Sequence, residues 1–292
     1  MGPSADLEVV IVSHGAEALL RRCLRSLAEF PAGGEMRVTV VDSGSPDPTP
    51  DMVGREFPAV RLLRRQNIGF SAANNVALRE SEAAAVLLLN PDTEVYAGTL
   101  DAALARLRSE PRIGMVGCKL VTESGELDHA CKRSFPTPLG ALAHFTGIGR
   151  DGDASGALSQ YRATQLGDDE AGEVDAVNGA FMLCRAEAIR AVGLLDEGYW
   201  LYMEDLDWCH RFWDAGWRVF YEPAGAALHV KGASSGARRR PKQEIAFHRG
   251  MGRFYRRFDA AEHNPALNAA VYAGIGAKLA LSLAISAYRR AT

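Results

Sequence analysis

The stretch AAAVLLLNPD, Ala83 to Asp92, decides the fold. Its apolar run offers no polar side to solvent, and Asn90-Pro91-Asp92 then makes a turn. Such a run reads as a strand covered on both faces, the kind that builds parallel sheets. Working outward, LEVVIVSH (Leu7–His14), MRVTVVDSGS (Met36–Ser45), VRLLRR (Val60–Arg65) and IGMVGCKLVT (Ile113–Thr122) read as further strands. Helical patterns separate them: Ala16–Phe30, a short helix at Asp51–Phe57, Ser71–Ser81 and Thr99–Glu110. Strand and helix in alternation predict an α/β domain, Rossmann-like, with a mostly parallel sheet flanked by helices. Ligands of such sheets bind beyond the carboxyl ends of the strands. Those ends are polar here: Ser13-His14, Asp42-Ser43, Asn67 and Asn90-Pro91-Asp92.

Composition bounds the rest. A chain of 292 residues, 47% hydrophobic, can bury the core of one large domain or two small ones. A net charge of −3 gives no global sign of a nucleic-acid binder. The five cysteines are odd in number and form no CxxC pair, which predicts reduced thiols in a cytosolic protein. MGPSADLEVVIVSH lacks the basic segment of a secretory signal.

The second half reads differently. Residues 132–173 look loop-rich, and GIGRDG within them matches GxGxxG without the strand and helix a dinucleotide site requires. VDAVNGAFMLCRA is strand-like, with Asn178-Gly179 in its middle. LYMEDLDWCHRFWDAG (Leu201–Gly216) reads as a helix with Leu201, Trp208 and Phe212 on an apolar face. Glu204, Asp207, Arg211 and Asp214 fall on the outer face, whereas Asp205 falls on the apolar one. Asp205 is therefore either a first-turn carboxylate welcomed by the helix dipole or an acid looking into a cleft. WRVFYEPAGAALHV is a strand ending near His229. A basic run follows, from Lys231 and Arg238 to Arg257, and then PALNAAVYAGIGAKLALSLAISAYRR. That last segment is long enough to span a bilayer but diluted by Ala, Gly and Lys278, which favours a membrane-surface or core-packed helix over a span.

Four strand-end residues carry candidate chemistry. Asp42 at a strand end can accept a base imide or ribose hydroxyls, or can simply form the turn in DSGSP. Asn90 and Asp92 point the same way in an extended chain, and oxygen donors there suit Mg2+ or Mn2+ on a diphosphate; the alternative is a Pro91 turn. His229 is a satisfied histidine or a third ligand of that metal.

Five stretches taken in order resemble the family 2 glycosyltransferases of the GT-A fold: VVIVSHG, VVDSGSPD, QNIGFSAANN, LLLNPD, and NGAFMLCRAEAIRAVGLLDEGYWLYMEDLDWCHRFWDAGW with its following LHV. QNIGFSAANN, NPD and the YMEDLD segment look most like bacterial rhamnosyltransferases of cell-wall linker and O-antigen type. The resemblance implies a catalytic domain over residues 1–235, its nucleotide-sugar half to about 125 and its acceptor half from about 126. Residues 236–292 would be a basic and apolar helical extension. It also implies roles. Asp42 would contact the base. Ser13, Asn67, Gly69, Asn74 and Asn90 would complete the nucleotide-sugar site. Asp92 and His229 would hold Mg2+ or Mn2+, with Asn90 standing where the family usually has a first aspartate. Asp205 would be the catalytic base of an inverting transfer, with Glu204 as the alternative base or an acceptor contact. Burial beside Trp208 would raise the Asp205 pKa. Asn178, Gly179, Trp200 and Tyr202 would meet the acceptor. The implied donor is a nucleotide-diphosphate sugar, with dTDP-rhamnose leading. The implied acceptor is a polyprenyl-diphosphate-linked glycan, reached from the cytoplasmic face by an enzyme peripheral to the membrane. A homodimer is compatible with all of this.

Overall fold

The computed structural model describes residues 5–136, 166–230 and 239–291. The GxGxxG match, most of the loop-rich segment, Lys231 and Arg238 lie outside them.

Strand β1 (Leu7–Ser13) is buried along its whole length, as the unbroken apolar run predicts. It lies between β2 (Met36–Ser43) and β4 (Ala85–Leu89), parallel to both. β3 (Arg61–Arg65) extends the parallel set beyond β2. Helix α1 (Glu17–Glu29) turns Leu20, Cys23, Leu24 and Leu27 inward, spacings of three and four that make one apolar stripe. Helices α2 (Thr49–Glu56), α3 (Phe70–Leu78) and α4 (Thr99–Ser109) occupy the remaining crossovers, where the sequence predicts helices. The one acid inside β1, Glu8, is buried and accepts from Thr39 Oγ1 at 2.7 Å. All five cysteines are free and buried.

After β4 the chain makes β5 (Thr93–Val95) and, following α4, β6 (Ile113–Val121). Two-residue strands β7 (Lys132–Arg133) and β9 (Ala176–Val177) pair in a small second sheet. β8 (Gly172–Glu173), β10 (Phe181–Arg185) and β11 (Arg218–His229) complete the main sheet, ordered β3-β2-β1-β4-β10-β6-β11-β5 with β8 beside β11. The mostly parallel sheet thus has one antiparallel insertion, β10, between β4 and β6. β5 returns antiparallel to β11, setting His229 opposite Thr93.

Among the described residues of the second half there are four α-helices: α5 (Ala186–Val192), α6 (Glu204–Asp214), α7 (Pro241–Phe258) and α8 (Pro265–Ala291). α6 corrects the helical reading of Leu201–Gly216. It starts only at Glu204, so Leu201 is not on it. Glu204 and Asp207, assigned to the solvent face, are buried. Asp207 receives Arg211 Nε at 2.7 Å and Arg257 Nη1 of α7 at 3.1 Å. The i,i+4 pair is real, but it works as a buried joint between two helices. Arg253 and Arg257 also converge on Asp196. These two members of the basic run are therefore ion-pair partners of buried or half-buried acids, although Arg257 is itself exposed, as are Arg249 and Arg256.

α8 is long and apolar enough to cross a membrane by length and composition, and none of its apolar window is buried in the protein. The core-packed alternative is thereby corrected. Its first turns are tied to α7 through Tyr255 Oη, which donates to Asn268 Oδ1 at 2.6 Å, and through the edge-on Tyr255–Tyr272 pair.

Candidate active site

A cleft of about 900 Å3 opens beyond the carboxyl ends of β1, β2 and β4. One wall is made of strand ends. Parallel register places Ser13 directly beside Asp42. Both are buried just beneath the lining, and Ser13 Oγ and Asp42 Oδ1 have no hydrogen-bond partner among the described residues. Asp42 Oδ2 accepts from Ser45 N–H at 3.3 Å, so the turn-forming role and an open carboxylate oxygen coexist. Buried oxygens without partners carry a desolvation cost, which a ligand's donors would offset. Asn67, Gly69 and Asn90 line the cleft. Asn74 does not: it is buried within α3 and donates to Phe70 O at 3.0 Å.

Asp92 and His229 come together because β5 pairs with β11 and Val230 N–H bonds Asp92 O at 2.9 Å. His229 Nε2 stands 3.7 Å from Asp92 Oδ1. Behind it, His229 Nδ1 lies 2.9 Å from the wholly buried Asp128 Oδ2. A carboxylate there accepts a hydrogen bond from Nδ1–H, the tautomer that leaves Nε2, on the Asp92 side, as the lone-pair donor. That donor chemistry fits a divalent cation held by two protein groups, with diphosphate and water oxygens as its other ligands. Among the described residues no three His, Cys, Asp or Glu side chains form a closed metal site.

The opposite wall is helical. Tyr202 and Met203 both adopt left-handed backbone, φ 69° and 72°, immediately before α6. Two such non-glycine residues in succession are strained, and surrounding structure must hold them. Gly250 of α7 does so: a Cβ there would stand 3.1 Å from Tyr202 O and 3.0 Å from Met203 Cγ. The turn aims Glu204 and Asp205 into the cleft. Asp205 accepts from Arg133 Nη2 at 2.6 Å, Gly179 N–H at 3.2 Å and Leu206 N–H at 2.9 Å. Burial first, and then the Asp205 charge, push Glu204 up to about 8, and Glu204 Oε2 has no hydrogen-bond partner among the described residues. The helix thus pairs a carboxyl held by a guanidinium with a buried one whose pKa is raised by desolvation and by its neighbour.

Asn178, Gly179, Trp200 and Tyr202 line the same cleft. The two walls touch where Phe70 N–H bonds Trp200 O at 2.8 Å. Four contributors escape the sequence reading: His14, Arg133, Asp128 and Arg239. His14 lines the cleft and its Nδ1 lies 2.9 Å from Ser43 O; its place at a polar strand end was the available signal. Arg133 and Asp128 sit in irregular stretches whose spacing carries no period. Arg239 lies in the segment expected as an extension, yet α7 and α8 line the cleft too, through Phe247, Ser282 and Ile285 among others.

The glycosyl transferase family 2 model matches residues 8–161. The chain is 30% identical over 254 residues to the N-acetylglucosaminyl-diphospho-decaprenol L-rhamnosyltransferase of Mycobacterium tuberculosis, covering 83% of this chain and 81% of that one. It is 26% identical over 228 residues to the rhamnosyltransferase WbbL of Escherichia coli, with 76% and 82% covered. Among solved structures it resembles a mannosyltransferase from Pyrobaculum calidifontis in complex with GDP-Man and Mn2+, at a TM-score of 0.61 and 19% identity, over 98% of this chain and 77% of that one. That last likeness is one of fold, and the fold is GT-A.

Proposed function

This chain belongs to the family 2 glycosyltransferases, and we propose that within the family it is an inverting, metal-dependent rhamnosyltransferase. The donor would be dTDP-rhamnose and the acceptor a polyprenyl-diphosphate-linked glycan of the cell envelope. The observation that carries the reading is a single cleft with Asp92 and His229 on one wall and Glu204 and Asp205 on the other. The names of the two rhamnosyltransferase relatives support the sugar, and that of the mycobacterial one supports the lipid-linked acceptor.

In the proposed step an acceptor hydroxyl attacks the anomeric carbon from the face opposite the nucleotide. The new C–O bond forms as the bond to the diphosphate breaks, and the hydroxyl proton passes to the Asp205 carboxylate. Arg133 and Gly179 N–H fix that carboxylate, so the geometry is set before the acceptor arrives. Protonated Glu204 donates to an acceptor or sugar oxygen, the contact role among its two alternatives. Asp42 and Ser13 offer buried oxygens to the nucleotide. Asp92 and His229 would hold Mg2+ or Mn2+, which when bound neutralises the departing diphosphate.

The exposed α8 and the exposed Arg249 and Arg256 support a peripheral position on an anionic membrane, at its cytoplasmic face. Protein lacking residues 262–292 should pellet less with anionic vesicles; equal pelleting overturns the membrane reading. For the reaction, purified protein meets dTDP-rhamnose and a panel of UDP- and GDP-sugars with a lipid-diphosphate-linked N-acetylglucosamine acceptor. Transfer from dTDP-rhamnose with inversion supports the proposal. Preferred transfer from another donor overturns the sugar assignment.

A further inference from the structure

We propose that Arg239 and Lys242 form the subsite for the acceptor's diphosphate, and that the adjoining edge of α8 carries its hydrocarbon chain. This rests on the lipid-diphosphate acceptor class proposed above.

Two pairs of cations in the C-terminal segment differ in how they are held. Arg253 and Arg257 are matched by Asp196 and Asp207. Arg239 and Lys242 have no carboxylate partner among the described residues and rest on aromatic faces instead. The Arg239 guanidinium carbon lies 3.8 Å from the Phe247 ring centre and 4.8 Å from that of Tyr202. Lys242 Nζ lies 4.0 Å from the Trp200 ring centre. An aromatic face positions a cation without cancelling its charge. Arg239, Trp200, Tyr202 and Phe247 all line the cleft, so this positive rim is part of the cleft that Asp205 enters.

The nearby acids do not cancel it. Glu244 lines the same rim, with Oε2 3.7 Å from His248 Nδ1. Deeper in, Asp205 is matched by Arg133, and burial keeps Glu204 largely protonated at neutral pH. Lys278 of α8 lies within electrostatic reach of both Arg239 and Glu244, so Arg239, Lys242 and Lys278 together face one carboxylate at the mouth.

Beyond the rim the lining changes character. Ser282, Ile285 and Ser286 of α8 complete the cleft. Leu281, Ile285 and Tyr288 are 61%, 40% and 72% exposed, and their spacing of four and three makes one continuous edge. From Asp205 outward the surface runs from polar cleft to cationic rim to apolar edge. A sugar joined through a diphosphate to a long hydrocarbon has that same order of polarity, and a free sugar or polysaccharide has not.

The test uses the full chain with its donor pocket saturated by dTDP and Mg2+, and farnesyl diphosphate as the probe. Binding is followed by calorimetry, with farnesol and inorganic pyrophosphate alongside. Farnesyl diphosphate should bind at least tenfold more tightly than either fragment. The Arg239→Gln/Lys242→Gln double variant should lose at least tenfold for farnesyl diphosphate while keeping its dTDP affinity. Ile285→Ser should weaken farnesol and farnesyl diphosphate alike. A double variant that binds the probe as tightly as the wild type overturns the subsite, and so does one that loses dTDP to the same extent. The two readings fail separately. Transfer to a lipid-diphosphate acceptor at wild-type KM by the double variant overturns the subsite and leaves the acceptor class standing. Probe binding that depends on both cations, without transfer to any lipid-diphosphate sugar, upholds the subsite and overturns the acceptor class.

Discussion

On the strand wall of the cleft, Ser13 and Asp42 are placed by parallel register, and Asn90 and Asp92 follow directly on the parallel strand β4. On the helix wall, Glu204 and Asp205 are placed by elements remote in sequence: Arg133 from a two-residue strand, Gly179 from a loop, and α7 pressing on a left-handed turn. The strand wall inherits its geometry from backbone pairing, which many hydrogen bonds define together. The helix wall is assembled from single side-chain contacts around strained backbone, so its chemistry is the more exposed to point changes. A nucleotide site can be common to many relatives while the acceptor side varies, and the construction of the two walls permits that.

On the strand wall the largest expected loss is at Asp92. Asp92→Ala should lower transfer by about a thousandfold, because diphosphate departure loses its charge neutralisation, worth several kcal/mol. Unchanged turnover and unchanged metal dependence in that variant would remove the metal assignment. Asp128→Asn should act at one remove, weakening Mn2+ affinity by roughly 10- to 100-fold through loss of His229 orientation. Isothermal titration with dTDP present reads this, and unaltered affinity would make Asp128 a structural cap only.

Gly69 joins the walls at φ 93°, and a Cβ there would stand 2.7 Å from Trp200 O. Gly69→Ala should cost about 1–3 kcal/mol of stability, seen in denaturant unfolding, and should impair both substrates together. Loss confined to one substrate would mean that the walls are independent.

The smallest effect is at Glu204. Its folded pKa of about 8 lies above the ordinary 4.5, so the fold binds its proton more tightly than the unfolded chain does. The associated stability is complete below pH 4.5 and is lost as pH rises through about 8. Glu204→Gln, permanently neutral, should gain in melting temperature over the wild type as pH rises across that window. A pH-independent difference would show that Glu204 is not protonated in the fold.

The same contrast explains what could be read from sequence. AAAVLLLNPD and LEVVIVSH announce buried parallel strands, and strand-end polarity then marks Ser13, Asp42 and Asp92, because period and register are local properties. His229 was legible only as a strand-end histidine; the β5–β11 pairing that brings it to Asp92 is non-local. The insertion of β10 between β4 and β6 is a matter of topology, on which periodicity is silent. In α6, helical spacing singles out Asp205, which lines the cleft but is less buried than Glu204 and Asp207. It misassigned Asp207 and Glu204, because their burial depends on α7 and on the turn at Tyr202-Met203. No spacing rule reveals Arg133, whose partner lies on another element and whose flanking segment has no regular structure to read.

The central claim is that Asp205 accepts the acceptor's proton across the cleft from the donor's diphosphate. The direct measurement is single-turnover transfer by the wild type and Asp205→Asn, at saturating donor and acceptor, with donor affinity measured in parallel. The account predicts a chemical step slower by roughly 10²- to 10⁴-fold in the variant, with donor affinity within a few-fold of wild type. A variant that transfers at the wild-type rate would contradict it.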